Sequence, residues 1–234
     1  MYFFARSYSI ESSGVLRGRT DWHCHILPGV DDGIPTLDDS LEVLEKYEAL
    51  GIREAWLTPH IMEDIPNRPD DLKARFAELE AAYKGPVILH LAAENMLDNL
   101  FEERFEAGDL LPIGPKGDHL LVETSYFNPP MDLFGTLERI RRKGFTPLLA
   151  HPERYVYMEE SDYARLRAAG VAFQINLTSL AGAYGNRAKE KAEKFLRQNR
   201  VECTGTDLHR LADFCRIIAR PDLKKGTVEA LERF

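Results

Sequence analysis

Short apolar runs in this chain end, again and again, on a residue able to bind a metal ion. The first is residues 21–33, DWHCHILPGVDDG, read as a buried strand entering a polar loop. Alternate side chains on a strand share a face, so His23 and His25 point together and Cys24 points away. Two imidazoles converging from one strand make half of a metal site. The run 53–58 leads to His60, 86–92 to Glu94, 120–122 to Glu123, 145–150 to His151, and 201–204 to Asp207 and His209. A further strand is expected over 171–177.

Helical segments alternate with these runs. Leu37, Leu41 and Leu44 share one face of a helix that Thr36 starts and Gly51 stops. Further helices are expected over 70–83, 98–107, 131–143, 161–169 and 187–199, with a mostly helical tail from Leu211 broken at Pro221. About seven strands alternating with helices predict a parallel sheet. The regularity favours closure over an open sheet. The expected fold is α/β, a distorted (β/α)7 TIM-like barrel with the metal site at the C-terminal ends of its strands. A chain of 234 residues suits one such domain, here 20–234, after an N-terminal extension over 1–19.

The net charge of −8 opposes nucleic acid or an anionic membrane as partner, since both are bound through Lys and Arg. The three cysteines, Cys24, Cys203 and Cys215, have no paired spacing, so a reducing cytoplasm is expected. The N-terminus lacks the apolar run of a signal peptide, and no stretch is apolar enough for membrane insertion.

Five imidazoles (His23, His25, His60, His151, His209) and three carboxylates (Glu94, Glu123, Asp207) exceed what one tetrahedral ion needs. Two or three divalent ions are implied, and Glu94 has two oxygens with which to bridge a pair. Mixed imidazole and carboxylate suit Mn2+ first, then Fe or Zn. Such a site clamps phosphoryl oxygens. His90, in mid-strand, and His119, before its strand, are read as structural.

The stretches DWHCHILPGVDDG (21–33), LTPHIMED (57–64), AAENMLD (92–98), LVETSYFNPP (121–130), LAHPERY (149–155) and GTDLH (205–209) together resemble the polymerase-and-histidinol-phosphatase (PHP) superfamily of distorted β/α barrels. Within it the chain is most similar to the manganese-dependent protein-tyrosine phosphatases of bacterial capsule and exopolysaccharide loci. That resemblance implies a PHP-type metallophosphatase with three metal sets: His23, His25, Glu94 and Asp207; Glu94, Glu123 and His151; and Asp32, His60 and His209. Asp31 stands as the alternative to Asp32. It implies catalytic roles for Arg154, Glu94 and Asp207. Arg154 and Tyr155 would contact the substrate, with Arg210 in place of a second phosphate-binding arginine that the family often carries further on. Three divalent ions (+6) against the carboxylates of Asp32, Glu94, Glu123 and Asp207 (−4) leave about +2 to draw in a phosphate dianion.

The implied reaction is hydrolysis of phosphotyrosine by metal-bound hydroxide, on a substrate such as a bacterial tyrosine autokinase controlling polysaccharide synthesis. The cysteine-nucleophile loop is absent, because Val30, His209 and Pro221 stand six residues after the cysteines where that loop needs arginine. A small-molecule phosphomonoesterase of the histidinol-phosphatase type is the alternative. A superfamily nuclease and a non-catalytic metal-binding protein are weaker readings.

Overall fold

Parallel strands with helices between them carry the ligand-type residues. The computed structural model describes residues 7–233. Its strands are β1 Ser7–Tyr8, β2 Thr20–Cys24, β3 Glu54–Leu57, β4 His60–Ile61, β5 Ile88–Leu91, β6 Glu94–Met96, β7 His119–Glu123, β8 Thr146–Ala150, β9 Ala172–Asn176, β10 Cys203–Gly205 and β11 Leu223–Lys224. One sheet runs β10-β9-β8-β7-β6-β4 and a second runs β2-β3-β5, with every pairing parallel. The two meet again where Cys24 bridges Leu208 and the Asp207 N–H donates to the His23 carbonyl at 2.7 Å. The result is a mixed α/β fold whose parallel sheet curls round on itself.

β3 and β4 follow one line, broken at Thr58 and Pro59, and β5 and β6 follow another, broken at Ala92 and Ala93. Pro59 has no N–H for the ladder, so its carbonyl alone serves, accepting from Glu94 N at 3.1 Å. His60 and Glu94, expected beyond strand ends, therefore open short strands of their own. At the closing seam β10 presses on β2. A Cβ at Gly205 would lie 2.5 Å from the His23 Cβ, so only glycine permits this approach.

The helix Leu37–Leu50 starts on Thr36, whose side chain accepts from Asp39 N, and stops at Gly51 with φ 76°. It buries Val43, Leu44 and Tyr47 against the sheet, with Leu37 and Leu41 partly covered. The expected strand 171–177 ends at Asn176, and a helical turn, Leu177–Leu180, takes over.

Residues 1–19 were expected to be an extension. Residues 1–6 lie outside the described residues, as does Phe234. Residues 7–19 fold onto the body: β1 pairs antiparallel with β11, and Ile10, Val15 and Leu16 are buried in the main core. The apolar side chains of this short segment explain its docking.

Candidate metal centre

Period-two spacing along the strands builds most of the site. Inside the curled sheet a small apolar cluster holds Trp56, Ala92, Leu121, Leu148, Ala150, Ala172 and Cys203. Counting on by two along the same faces gives Thr58 and His60, Glu94, Glu123, Gln174 and Asn176, and Gly205 and Asp207. Apolar side chains plug the lower interior, and polar ones crown it at the C-terminal strand ends. β2 obeys this with an irregularity. Its register shifts between Asp21 and Cys24, the kind of bulge that re-aims side chains beside a site. Cys24 lies in the outer core with its Sγ 3.3 Å from the Trp56 carbonyl, away from the imidazoles.

Glu94 is the centre of the group. Its Oε2 lies 3.1 Å from His23 Nε2, 3.4 Å from His25 Nε2 and 3.1 Å from His60 Nδ1, and its Oε1 lies 2.9 Å from His151 Nε2. Four sets have ligand atoms within 4.8 Å of one another: His25, Asp32, His60 and His209; His23, His25 and Asp207; His23, Glu94 and His151; His60, Glu94 and Glu123. All nine expected ligands are thus gathered, in a partition that differs from the implied one. His60 belongs to two sets through different nitrogens: Nε2 faces Asp32 at 3.5 Å while Nδ1 faces Glu123 at 3.1 Å.

Asp31 and Asp32 separate cleanly. The Asp31 carboxylate accepts from His25 Nδ1 at 2.8 Å and from the His60 N–H at 3.0 Å. It orients ligands. Asp32 points its Oδ1 at His60 and at His209 Nε2, 3.4 Å away.

The donor set fits divalent metal. Among the described residues, His60 Nδ1, Glu94 Oε2, Glu123 Oε1 and His151 Nδ1 are buried without a hydrogen-bond partner. Orphaned polar atoms are costly in an apolar interior, and a cation among them would satisfy three of the four that converge. Tautomers are set from outside. His23 Nδ1 donates to Gln174 Oε1 at 2.8 Å, His25 Nδ1 to Asp31, and His209 Nδ1 to the Asp207 carbonyl at 3.1 Å, so each leaves Nε2 free as a ligand atom.

Charge is poised the same way. Burial opposes a proton on His23 and His60, but Glu94 overrides it and holds them up at about 9 and about 12. Burial and Glu94 push Glu123 up to about 7. Burial also works against the Asp207 carboxylate, yet His23 and Arg154 keep it well below the usual range. A divalent cation among these groups would take the place of the protons on His23, His60 and Glu123 and add to the charges that keep Asp207 ionised. His151 and Asp207 take left-handed backbone angles, φ 33° and 52°, strain of the sort concentrated at functional sites.

Arg154 stands at the edge of this group, in a mouth of about 490 Å³. Its Nη1 donates to Asp207 Oδ2 at 2.7 Å, and its guanidinium is sandwiched between the rings of Tyr126 and Tyr184, 4.1 Å from each. Tyr184 OH and Asn176 Nδ2 donate to the same oxygen at 3.0 and 2.7 Å.

Tyr155, expected at the substrate, is fully buried instead. The short 3₁₀ turn Pro152–Arg154 aims Arg154 at the mouth and carries the next residue into the core. There the Tyr155 hydroxyl donates to the Ala150 carbonyl and accepts from Thr124 N. Arg210 is exposed on the mouth wall just before the helix Leu211–Ile218, and Arg216 of that helix lines the mouth too, paired with Asp213. His90 stacks on Trp56 with ring centres 4.5 Å apart and His119 pairs with Asp118, both outside the metal group.

Gln174, Asn176, Tyr126 and Tyr184 escaped the sequence reading. Gln174 and Asn176 carried a signal: two amides two apart on an otherwise apolar strand, the same spacing as His23 and His25.

A family model described as capsular polysaccharide synthesis, CpsB/CapC, matches residues 19–229. Tyrosine-protein phosphatase YwqE of Bacillus subtilis is 28% identical over 195 residues, covering 81% of this chain and 76% of that protein. Tyrosine-protein phosphatase CpsB of Streptococcus agalactiae is 27% identical over 210 residues, covering 82% and 83%. The crystal structures of YwqE from Bacillus subtilis and CpsB from Streptococcus pneumoniae, unique metal-dependent tyrosine phosphatases, include a chain that superposes with TM-score 0.72 at 25% identity, over 92% of this chain and 86% of that one.

Proposed function

The chain belongs to the capsular polysaccharide synthesis family CpsB/CapC, and from that premise we propose that it is a metal-dependent protein-tyrosine phosphatase of capsular or exopolysaccharide synthesis. The observation that carries this reading is the convergence of nine histidine and carboxylate ligands, several with orphaned buried atoms, beside one arginine in an open mouth.

We assign His23, His25, Asp32, His60, Glu94, Glu123, His151, Asp207 and His209 as ligands to two or three divalent ions, manganese first and iron or zinc as alternatives. Bound ions supply positive charge to phosphoryl oxygens and lower the pKa of water. The chain's own residues do the rest. Arg154 offers its remaining N–H groups to the phosphate as a planar fork. Tyr126 and Tyr184 hold that fork's plane. Gln174 and Asp31 keep the ligand imidazoles in the tautomer that presents Nε2. Arg210 stands on the mouth wall as a second cation for the substrate.

The likeness to tyrosine phosphatases across most of their length supports a phosphotyrosine protein as substrate, and a bacterial tyrosine autokinase is the partner we infer. Among the described residues no helix is long and apolar enough to cross a membrane; with the cysteines free, this supports a cytoplasmic site of action. For the fold we read β2, β3 with β4, β5 with β6, β7, β8, β9 and β10 as the seven strands of a distorted (β/α)7 barrel, and 20–234 as its domain, onto which residues 7–19 pack.

The test compares kcat/KM of the manganese-loaded protein on a phosphotyrosine peptide, histidinol phosphate and single-stranded DNA. The peptide should be turned over fastest and DNA not at all. Preference for histidinol phosphate would overturn the proposal in favour of a small-molecule phosphatase.

A further inference from the structure

Exposed large hydrophobic side chains are concentrated on one part of this molecule. Among the described residues they are Ile88, Phe127, Met131, Val156 and Tyr184. All but Ile88 belong to segments that edge the mouth. Tyr184 stacks on Arg154, Arg154 stacks on Tyr126, and Phe127 follows in the chain. The Tyr126 carbonyl accepts from the Val156 N–H at 2.9 Å, tying the loop after β7 to the segment after β8. These two segments also supply Glu123 and His151 to the metal group. Phe127 is 69% exposed and Met131 wholly so.

Beside this rim lies a groove of about 450 Å³, lined by Pro129, Pro130, Met131, Leu133, Tyr157 and Met158 among others. Its charged members are Asp132, which caps the helix Leu133–Arg142, Asp162 and Arg165, two acids and one base, so it disfavours an acidic occupant and offers an otherwise largely apolar lining. Phe127, Met131 and Val156 are not part of the lining of the mouth itself. A contiguous apolar surface left bare is what a macromolecular partner covers.

We propose that this rim and groove receive the residues flanking the phosphotyrosine of a protein substrate, and select large apolar ones. The inference rests on the phosphatase reading above and adds to it a place and a preference. The flanking chain leaves the mouth past Tyr126, runs over Phe127, and sets an apolar side chain against Met131 in the groove.

The experiment uses the full manganese-loaded chain and the Phe127→Ser/Met131→Ser double variant. Both residues are exposed, so the variant should fold as the parent does. Three substrates are compared: p-nitrophenyl phosphate, a phosphotyrosine peptide flanked by Leu and Phe, and one flanked by Ser and Gly. The parent should prefer the apolar peptide by about tenfold in kcat/KM, the effect of burying roughly one large side chain. The double variant should lose that preference through KM while p-nitrophenyl phosphate is unchanged. Equal use of both peptides by the parent, or a parallel loss on p-nitrophenyl phosphate, would overturn the proposal. Binding of the same two peptides with a non-hydrolysable phosphonate, followed by fluorescence anisotropy, separates this from the phosphatase reading. If no phosphoester is cleaved, that reading fails, and the rim stands or falls on whether the variant loses the parent's preference in binding.

Discussion

Asp207 divides its two oxygens between different tasks. Oδ1 lies 3.5–3.6 Å from His23, His25 and His209, on the metal side, while Oδ2 accepts from Arg154, Asn176 and Tyr184. One carboxylate therefore fixes both the metal group and the arginine proposed to grip phosphate. The aromatic sandwich adds attraction to the guanidinium, since each ring face draws a cation. Arg154→Ala should lower kcat/KM on a phosphotyrosine peptide by about 10²–10³, the usual cost of removing one donor to developing charge, with bound metal unchanged. Arg154→Lys should recover only part, because an ammonium lacks the planar fork. Wild-type kinetics in Arg154→Ala would return the residue to a structural ion pair. Gln174 offers a different test, since it touches no substrate and acts through His23. Gln174→Leu removes the acceptor that holds His23 Nδ1–H and should weaken metal affinity about 10- to 100-fold. Titration of the apo variant with manganese by calorimetry checks it, and an unchanged affinity would show that the amide serves packing alone.

The strand is the element that carried most information. Period-two spacing and apolar runs made the strands, and the ligands at their ends, legible, because a strand's own sequence decides which face a residue takes. Loops were less legible. Asp31 and Asp32 differ only by the turn that Gly33 closes on the Asp31 carboxylate. Tyr155 looked like a mouth residue because it follows Arg154, and a single 3₁₀ turn sends it inward. Of the partners of Arg154, Asp207 was legible as a strand-end residue, but Tyr184 was not: it lies thirty residues away and meets Arg154 only through the packing of the segment before the helix Gly185–Arg197. The N-terminal segment misled for another reason. It has too few residues to show a period, yet Ile10 is completely buried. Ile10→Ala should cost about 2–5 kcal/mol, as for other aliphatic truncations in packed cores. Urea unfolding measures this, and a midpoint unchanged from the parent would mean that the segment is a loose extension after all.

At the scale of the molecule, an acidic protein of net charge −8 keeps a buried concentration of imidazole and carboxylate at one pole of a curled parallel sheet. The lower interior is plugged by apolar side chains, so the open pole is the site's approach to solvent. A net charge of −8 disfavours nucleic acid, and divalent metal bound as proposed would make the mouth attract a compact phosphate dianion. The proposed activity requires that the nine residues hold metal and that the metal be needed for hydrolysis. The direct measurement is to strip the protein with chelator, titrate manganese back, and follow bound metal and phosphotyrosine hydrolysis on the same samples. The stripped protein should show no activity, and activity should rise with occupancy to a plateau at two to three ions per chain. Full hydrolysis by protein with no metal bound would contradict this.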